Sequence, residues 1–275
     1  MDCRILKKRV LGPGSYLFVV RTPYVAKSAK PGQFIVIRVH EKGERIPLTI
    51  ADVNREKGEV TIIFQVVGKT TKYLSLLEVG DEILNLLGPL GNPTEIENFG
   101  TVAALGGGYG SAVLYPLVRA LRKAGNFTIV INGARNKKLL ILEDELKKLS
   151  NEYYVTTDDG SKGTKGFVTD LLQKIIEEGK KINRVFAVGP VPMMKVTSDL
   201  TKEHRIKTIV SLNPIMVDGT GMCGACRVEV DGETKFACAD GPDFDAHKVN
   251  FDLLIKRLRM YKKEEEFSLK RFENK

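Results

Sequence analysis

Three of the chain's four cysteines fall in one short segment, VDGTGMCGACRVEVDGETKFACADGP, from Val217 to Pro242. Cys223-Gly-Ala-Cys226 is a C-x2-C pair, and Cys238 follows twelve residues later. Plant-type 2Fe–2S proteins space their ligands C-x4-C-x2-C, with one further cysteine downstream. On that count the first ligand position falls on Asp218, whose carboxylate is a harder but competent ligand for iron. Glycines at 219, 221 and 224 let the backbone wrap closely round a small inorganic group. Two other readings stay open. Asp218 can be a simple turn residue before Gly219, and His247 or Asp240 can complete a zinc site with the three cysteines. The fourth cysteine, Cys3, lies far away and reads as a plain buried thiol.

A second group of residues suits phosphate. Leu105-Gly106-Gly107-Gly108-Tyr109-Gly110 sits between a strand-like and a helix-like stretch, where helix N-terminal amides bind a dinucleotide pyrophosphate. The bland alternative is a tight strand–helix turn. Tyr109 is a bulky intrusion that either packs over a ligand or narrows the pocket. Gly68-Lys69-Thr70-Thr71 opens another helix, and its amides and lysine suit a diphosphate; Thr70 alone reads equally as an N-cap. Asp158, and Gly189 with Pro190, end later strands at the carboxyl edge, where open α/β sheets bind ligands.

The elements that position these residues follow from the hydrophobic pattern. Up to about residue 97, short runs such as SYLFVVRT, GQFIVIRVH, RIPLTIADV and EVTIIFQVV are separated by turn signals, which predicts a small antiparallel barrel or sandwich. A helix is expected from Thr70 to Glu78. From residue 98 to 212, strands (TVAALGG, FTIVING, YYVTTD, RVFAVGP, RIKTIVS) alternate with helices (SAVLYPLVRALRKAG, LLILEDELKKL, FVTDLLQKIIEEG, MMKVTSDLTKEH). That alternation predicts a doubly wound parallel sheet. The cysteine segment takes residues 213–250, and residues 251–275 form a helical tail that is exposed or clasps a partner.

The totals bound the rest. The chain has 275 residues, 43% hydrophobic and 28% charged, an ordinary globular composition. No apolar run is long enough to span a bilayer, which argues against a membrane protein, and the N-terminus lacks the apolar core of a signal peptide. A cytoplasmic location is expected, where clustered cysteines are metal ligands rather than disulfides. The net charge is +9, but no nucleic-acid motif accompanies it. A Lys/Glu-rich solvated surface is preferred, with an acidic protein partner second. His40, His204 and His247 are expected at the surface.

Taken together these stretches resemble the ferredoxin–NADP⁺ reductase superfamily over nearly the whole chain: barrel, GGGxG, late GPxxMM. The cluster segment narrows the resemblance to two relatives. One is the electron-transfer subunit of dihydroorotate dehydrogenase, which has four cysteines at the cluster. The other is the small subunit of NADH-dependent ferredoxin:NADP⁺ oxidoreductase, also called archaeal sulfide dehydrogenase, which has aspartate at the first ligand position, as at Asp218. RIPLTIAD and NPIMVDGTGMCGACRV are similar to the second group. The resemblance implies FAD on the barrel, with Arg45, Pro47, Leu48 and Thr49 as its flavin motif. Thr49 would approach the flavin N5 edge and Arg45 the pyrophosphate, although this arginine lies four residues before the threonine instead of three. It implies Asp218, Cys223, Cys226 and Cys238 as ligands of a 2Fe–2S cluster, and NAD(H) or NADP(H) as substrate. The basic turn Arg135-Asn136-Lys137-Lys138 either favours a 2′-phosphate or is solvated charge. The implied partners are a larger flavin/4Fe–4S subunit and, through the complex, ferredoxin, in an electron-bifurcating assembly. The dihydroorotate dehydrogenase subunit is the alternative; a non-catalytic, zinc-stabilised nucleotide-binding subunit is the other.

Overall fold

The computed structural model describes residues 2–274. The first half is an antiparallel barrel of β1 (Ile5–Gly12), β2 (Ser15–Arg21), β3 (Phe34–Arg38), β4 (Arg45–Asn54), β5 (Glu59–Gln65) and β6 (Asn85–Leu90). The strands run in the order β1-β2-β5-β4-β3-β6. Ile5 N donates to Asp81 O at 2.8 Å and Ile83 N to Cys3 O at 3.1 Å, so the approach to β6 pairs with the start of β1 and closes the edge. Two helices cover the barrel, α1 (Pro23–Ser28) and α2 (Lys69–Leu76). Alternation of the strands sends Ile5, Phe18, Ile35, Ile37, Ile62 and Phe64 inward, with Leu74 of α2.

The second half alternates as expected: β7 (Thr101–Gly107), α3 (Gly110–Lys123), β8 (Phe127–Ala134), α4 (Glu143–Leu149), β9 (Glu152–Thr157), β10 (Thr164–Lys165), α5 (Val168–Glu177), β11 (Arg184–Val188), α6 (Val191–Glu203), β12 (Lys207–Ser211). These strands are parallel, in the order β10-β9-β8-β7-β11-β12. A short hairpin, β13 (Arg227–Val230) and β14 (Glu233–Phe236), follows the cysteine pair. Then β15 (Asp243–Asp245) adds antiparallel to β12. Helices α7 (Phe251–Leu258) and α8 (Lys262–Glu273) end the described chain.

Two expectations need correction. The stretch LLILEDELKKL is not one helix: Leu142 is left-handed (φ 55°), and α4 begins only at Glu143. Leu140, Ile141 and Leu142 are buried, so burial of three consecutive apolar residues overrides helical periodicity there. The acidic first turn, Glu143 to Glu145, then suits the helix dipole. Of the histidines, only His204 is exposed. His40 is half-buried with its ring 4.5 Å from Tyr73, and His247 is half-buried with Nε2 3.1 Å from Thr201 Oγ1.

The halves share a core. A bulge between Ile50 and Asp52 turns Ala51 into the cluster that holds Leu114 and Val118 of α3. Beside it, Arg119 Nη2 of α3 reaches Asp52 Oδ1 at 2.6 Å.

Candidate functional site

Barrel and sheet meet along a cleft of about 1640 Å³. All but one of the residues expected to bind cofactors line it. Arg45, Pro47, Leu48 and Thr49 come from β4, and Gly68, Lys69, Thr70 and Thr71 from the start of α2. Gly107, Gly108 and Gly110 come from the glycine loop, Asp158 from after β9, and Gly189 and Pro190 from after β11. The exception is Gly106. A Cβ there would meet Leu114 Cδ1 at 2.8 Å and Ser111 N at 3.1 Å, so its smallness serves the approach of α3 to β7.

The glycine loop is compressed by its neighbours. A Cβ at Gly110 would lie 1.9 Å from Val188 O, and one at Gly107 would lie 2.4 Å from Met193 Sδ. Gly108 (φ +54°) faces open space instead, and its N–H donates to Gly133 O at 2.7 Å. Tyr109 packs against the barrel core and against the core beneath α3. Its hydroxyl is buried and, among the described residues, has no hydrogen-bond partner. Burial pushes this phenol well above its usual range. An orphaned hydroxyl is costly to bury, and here it lies on a side chain of the cleft wall.

At the start of α2 the Thr71 hydroxyl accepts from Val67 N at 3.0 Å and Gly68 N at 3.1 Å, which fixes the first turn. Glu44 lies against that turn. Its carboxylate accepts from Lys69 Nζ at 2.9 Å and from the Thr70 hydroxyl. Burial opposes its ionisation, but these two hydrogen bonds and the lysine charge outweigh it and hold the carboxyl below its usual range. A side-chain anion thus pairs with the lysine and the threonine hydroxyl of the first α2 turn.

The cysteine loop lies between barrel and sheet. Cys226 and Cys238 are buried with their sulfurs 3.1 Å apart, in a core that includes Phe34, Val36 and Met216. Cys223 is exposed. Asp218 Oδ1 accepts from Thr220 N at 2.9 Å and Oδ2 from Cys223 N at 2.8 Å. The Thr220 bond, with that of Cys223, keeps the carboxyl below its usual range despite some burial. Burial, with the Cys226 sulfur beside it, pushes the Cys238 thiol up to about 12. Such a thiol keeps its proton at neutral pH unless a bound metal cation displaces it. Among the described residues no three His, Cys, Asp or Glu side chains converge on one metal-ion position. The loop presents donors in two pairs, the thiols of Cys226 and Cys238 and the harder Asp218 carboxylate beside Cys223, a spread that suits a two-iron group better than a lone ion. His247 is turned to Thr201 and Asp240 caps Phe236 N at 2.6 Å, so neither completes the set.

Sequence reasoning missed Glu44, which stood in a solvated charge run, and Tyr261, the N-cap of α8, with Glu264, Glu265 and Ser268 of that helix, which also line the cleft. Their spacing of three, four and seven was the available signal. Among the described residues no helix is long and apolar enough to cross a membrane.

The barrel, the parallel sheet and the cysteine loop define an oxidoreductase of the ferredoxin–NADP⁺ reductase type, and comparison with known proteins agrees. Residues 104–199 match the oxidoreductase NAD-binding domain. Residues 213–250 match the iron–sulfur cluster binding domain of dihydroorotate dehydrogenase B. A homolog of the electron transfer subunit of dihydroorotate dehydrogenase B (NAD(+)) from Thermotoga maritima is 52% identical over 268 residues, 98% of this chain and 94% of that one. The Fusobacterium nucleatum electron transfer subunit is 34% identical over 261 residues, 91% of this chain and 98% of that one. A chain of the solved NADH-dependent reduced ferredoxin-NADP oxidoreductase, a structure described for its insights into flavin-based electron bifurcation, is 51% identical. It superposes with a TM-score of 0.94 over 99% of this chain and 98% of that one. The chain belongs to the family of dihydroorotate dehydrogenase B electron transfer subunits and their homologues.

Proposed function

We propose that the chain is the small subunit of an electron-bifurcating ferredoxin:NAD(P)⁺ oxidoreductase. It carries FAD on the barrel and a 2Fe–2S cluster on Asp218, Cys223, Cys226 and Cys238. It takes NAD(H) or NADP(H) at the glycine loop, and works with a larger flavin/4Fe–4S subunit and, through it, ferredoxin. The clustered free thiols suit a reducing cytoplasm. The flavin would exchange hydride or single electrons and the cluster one electron at a time, so the chain need supply no acid or base, only position and polarity.

One observation carries this reading. A side chain at Gly219 would meet Val36 Cγ2 at 2.9 Å, and Val36 stands opposite Pro47 in the β3–β4 pairing. The cysteine loop therefore rests on the strand next to the flavin motif, one strand spacing of about 5 Å away. Gly219 (φ +79°) permits that approach, since a larger residue would also strike Leu90 Cδ1 at 2.6 Å. Within this frame the α2 amides and Lys69 receive a diphosphate, Thr49 faces the cleft for the ring, and Tyr109 excludes water beside it.

Absorption and metal analysis of the purified protein test the reading. Flavin and iron–sulfur bands with extractable FAD are expected; a colourless, zinc-loaded protein ends it. Asp218→Asn should alter the iron content and the cluster spectrum, and an unchanged spectrum removes Asp218 from the ligand set. The names of the relatives favour a second reading, a dihydroorotate-oxidising partner. Copurification with such a subunit, in place of a flavin/4Fe–4S subunit, would select it.

A further inference from the structure

We propose that α8 forms the nucleoside-binding wall of the flavin site, so that the chain selects FAD over FMN through its C-terminal helix. The inference rests on the flavin reading above.

Helix α8 has no buried residue. Its predecessor α7 is anchored by Phe251 and Leu254, and α8 then crosses to the barrel. There Phe272 lies 6.1 Å from the ring of Tyr73 on α2. Between these two attachments, Tyr261, Glu264, Glu265 and Ser268 line the cleft. Positions i, i+3, i+4 and i+7 share one helix face. A helix that covers protein turns an apolar stripe inward. This one turns in a phenol, two carboxylates and a hydroxyl, while Phe267 is 68% exposed. The stripe is built for a polar occupant.

The neighbouring wall, from β4 and the start of α2, has the complementary chemistry. It offers Arg45, Lys69 and the α2 amides, and Lys69 with the Thr70 hydroxyl already pairs with the Glu44 carboxylate. Two carboxylates would repel a diphosphate, so α8 faces a different part of the same ligand. Sugar hydroxyls donate to carboxylates, as in dinucleotide sites where an acidic residue holds the ribose. The Tyr261 ring offers a stacking face to a purine. A flavin dinucleotide has an anionic centre and a hydroxyl-bearing purine nucleoside at its far end. FMN stops at the phosphate and has nothing for α8 to hold.

The test uses the full chain stripped of flavin and titrated with FAD or FMN, read by flavin fluorescence. The wild-type chain should prefer FAD. In Glu264→Gln/Glu265→Gln and in Tyr261→Ala, FAD affinity should fall about tenfold or more, a change of about 1.4 kcal/mol, with FMN affinity unchanged. These positions are exposed on a helix without buried residues, so the fold should persist, checked by an unchanged circular dichroism spectrum. Variants that keep the wild-type preference for FAD overturn the inference and leave the flavin reading standing. A wild-type chain that binds neither flavin overturns both.

Discussion

In the cysteine loop, two sulfur-bearing side chains are sealed into the core beside Phe34 and Val36. In the cleft, part of the wall on the sheet side is made by Gly107, Gly108 and Gly110, where side chains are missing. The loop works through groups that are present, and the glycine segment of the cleft wall through groups that are absent. Substitutions should therefore fail differently in the two regions. Removing a side chain from the loop deletes chemistry and leaves most of the fold. Adding one to the glycine loop damages the fold itself.

The largest effect is expected at Cys226. Cys226→Ser keeps nearly the same volume in a 1% exposed position, but replaces a soft thiolate by a poor iron ligand. Iron–sulfur absorbance and bound iron should fall to background, while flavin stays bound. Retained iron would mean that the loop's chemistry does not depend on this side chain. On the other side, Gly110→Ala places a methyl carbon 1.9 Å from Val188 O. Helix α3 and β11 must move apart, at a cost of about 3 kcal/mol or more. A denaturant titration should show a lower midpoint, and an unchanged midpoint would refute the cramped geometry.

This contrast also explains what could be read from the residues alone. The cysteines were legible because their spacing is local and their chemistry is carried by the side chain. The alternating second half was legible because its strands are apolar runs at regular intervals. Four things were not. The three-residue β15 exists only through its pairing with β12, which leaves no local signal. Strand β1 interleaves Lys7, Lys8 and Arg9 with its apolar residues, and its order comes from partners some ten and more than seventy residues away. The role of Glu44 depends on α2 folding back against the loop before β4, and that of Tyr261 to Ser268 on α8 reaching the barrel. Sequence supplies the reactive groups, and long-range packing decides which other residues share their cavity.

A smaller effect separates missing from misplaced groups. Tyr109 carries the buried hydroxyl that lacks a partner. Tyr109→Phe removes it and keeps the ring, so the flavin-free protein should gain about 1 kcal/mol. The gain should be seen as a higher denaturant midpoint with unchanged slope. A loss of stability would show that the hydroxyl has a partner in solution.

The smallest effect is expected at Glu44, the one acidic side chain paired with Lys69 at the start of α2. The Glu44 side of the pair is solvent-exposed, with 57% of its side chain accessible against 26% for Lys69, so Glu44→Gln should cost only about 0.5 kcal/mol. Its pH dependence has a definite sign. The folded carboxyl is held below its ordinary value of 4.5 by Lys69 and Thr70 against the opposing effect of burial. The stabilisation is therefore fully present above pH 4.5 and is lost as pH falls through the lower, folded value. Wild type and variant should converge in stability in acid and differ by a constant amount near neutrality. Salt should shrink the neutral difference. If Glu44 also holds the place of a diphosphate, Glu44→Gln should bind inorganic pyrophosphate more tightly than wild type at neutral pH, by a few-fold. An equal affinity would leave the carboxylate as a surface partner of Lys69 and remove the α2 turn from the flavin site.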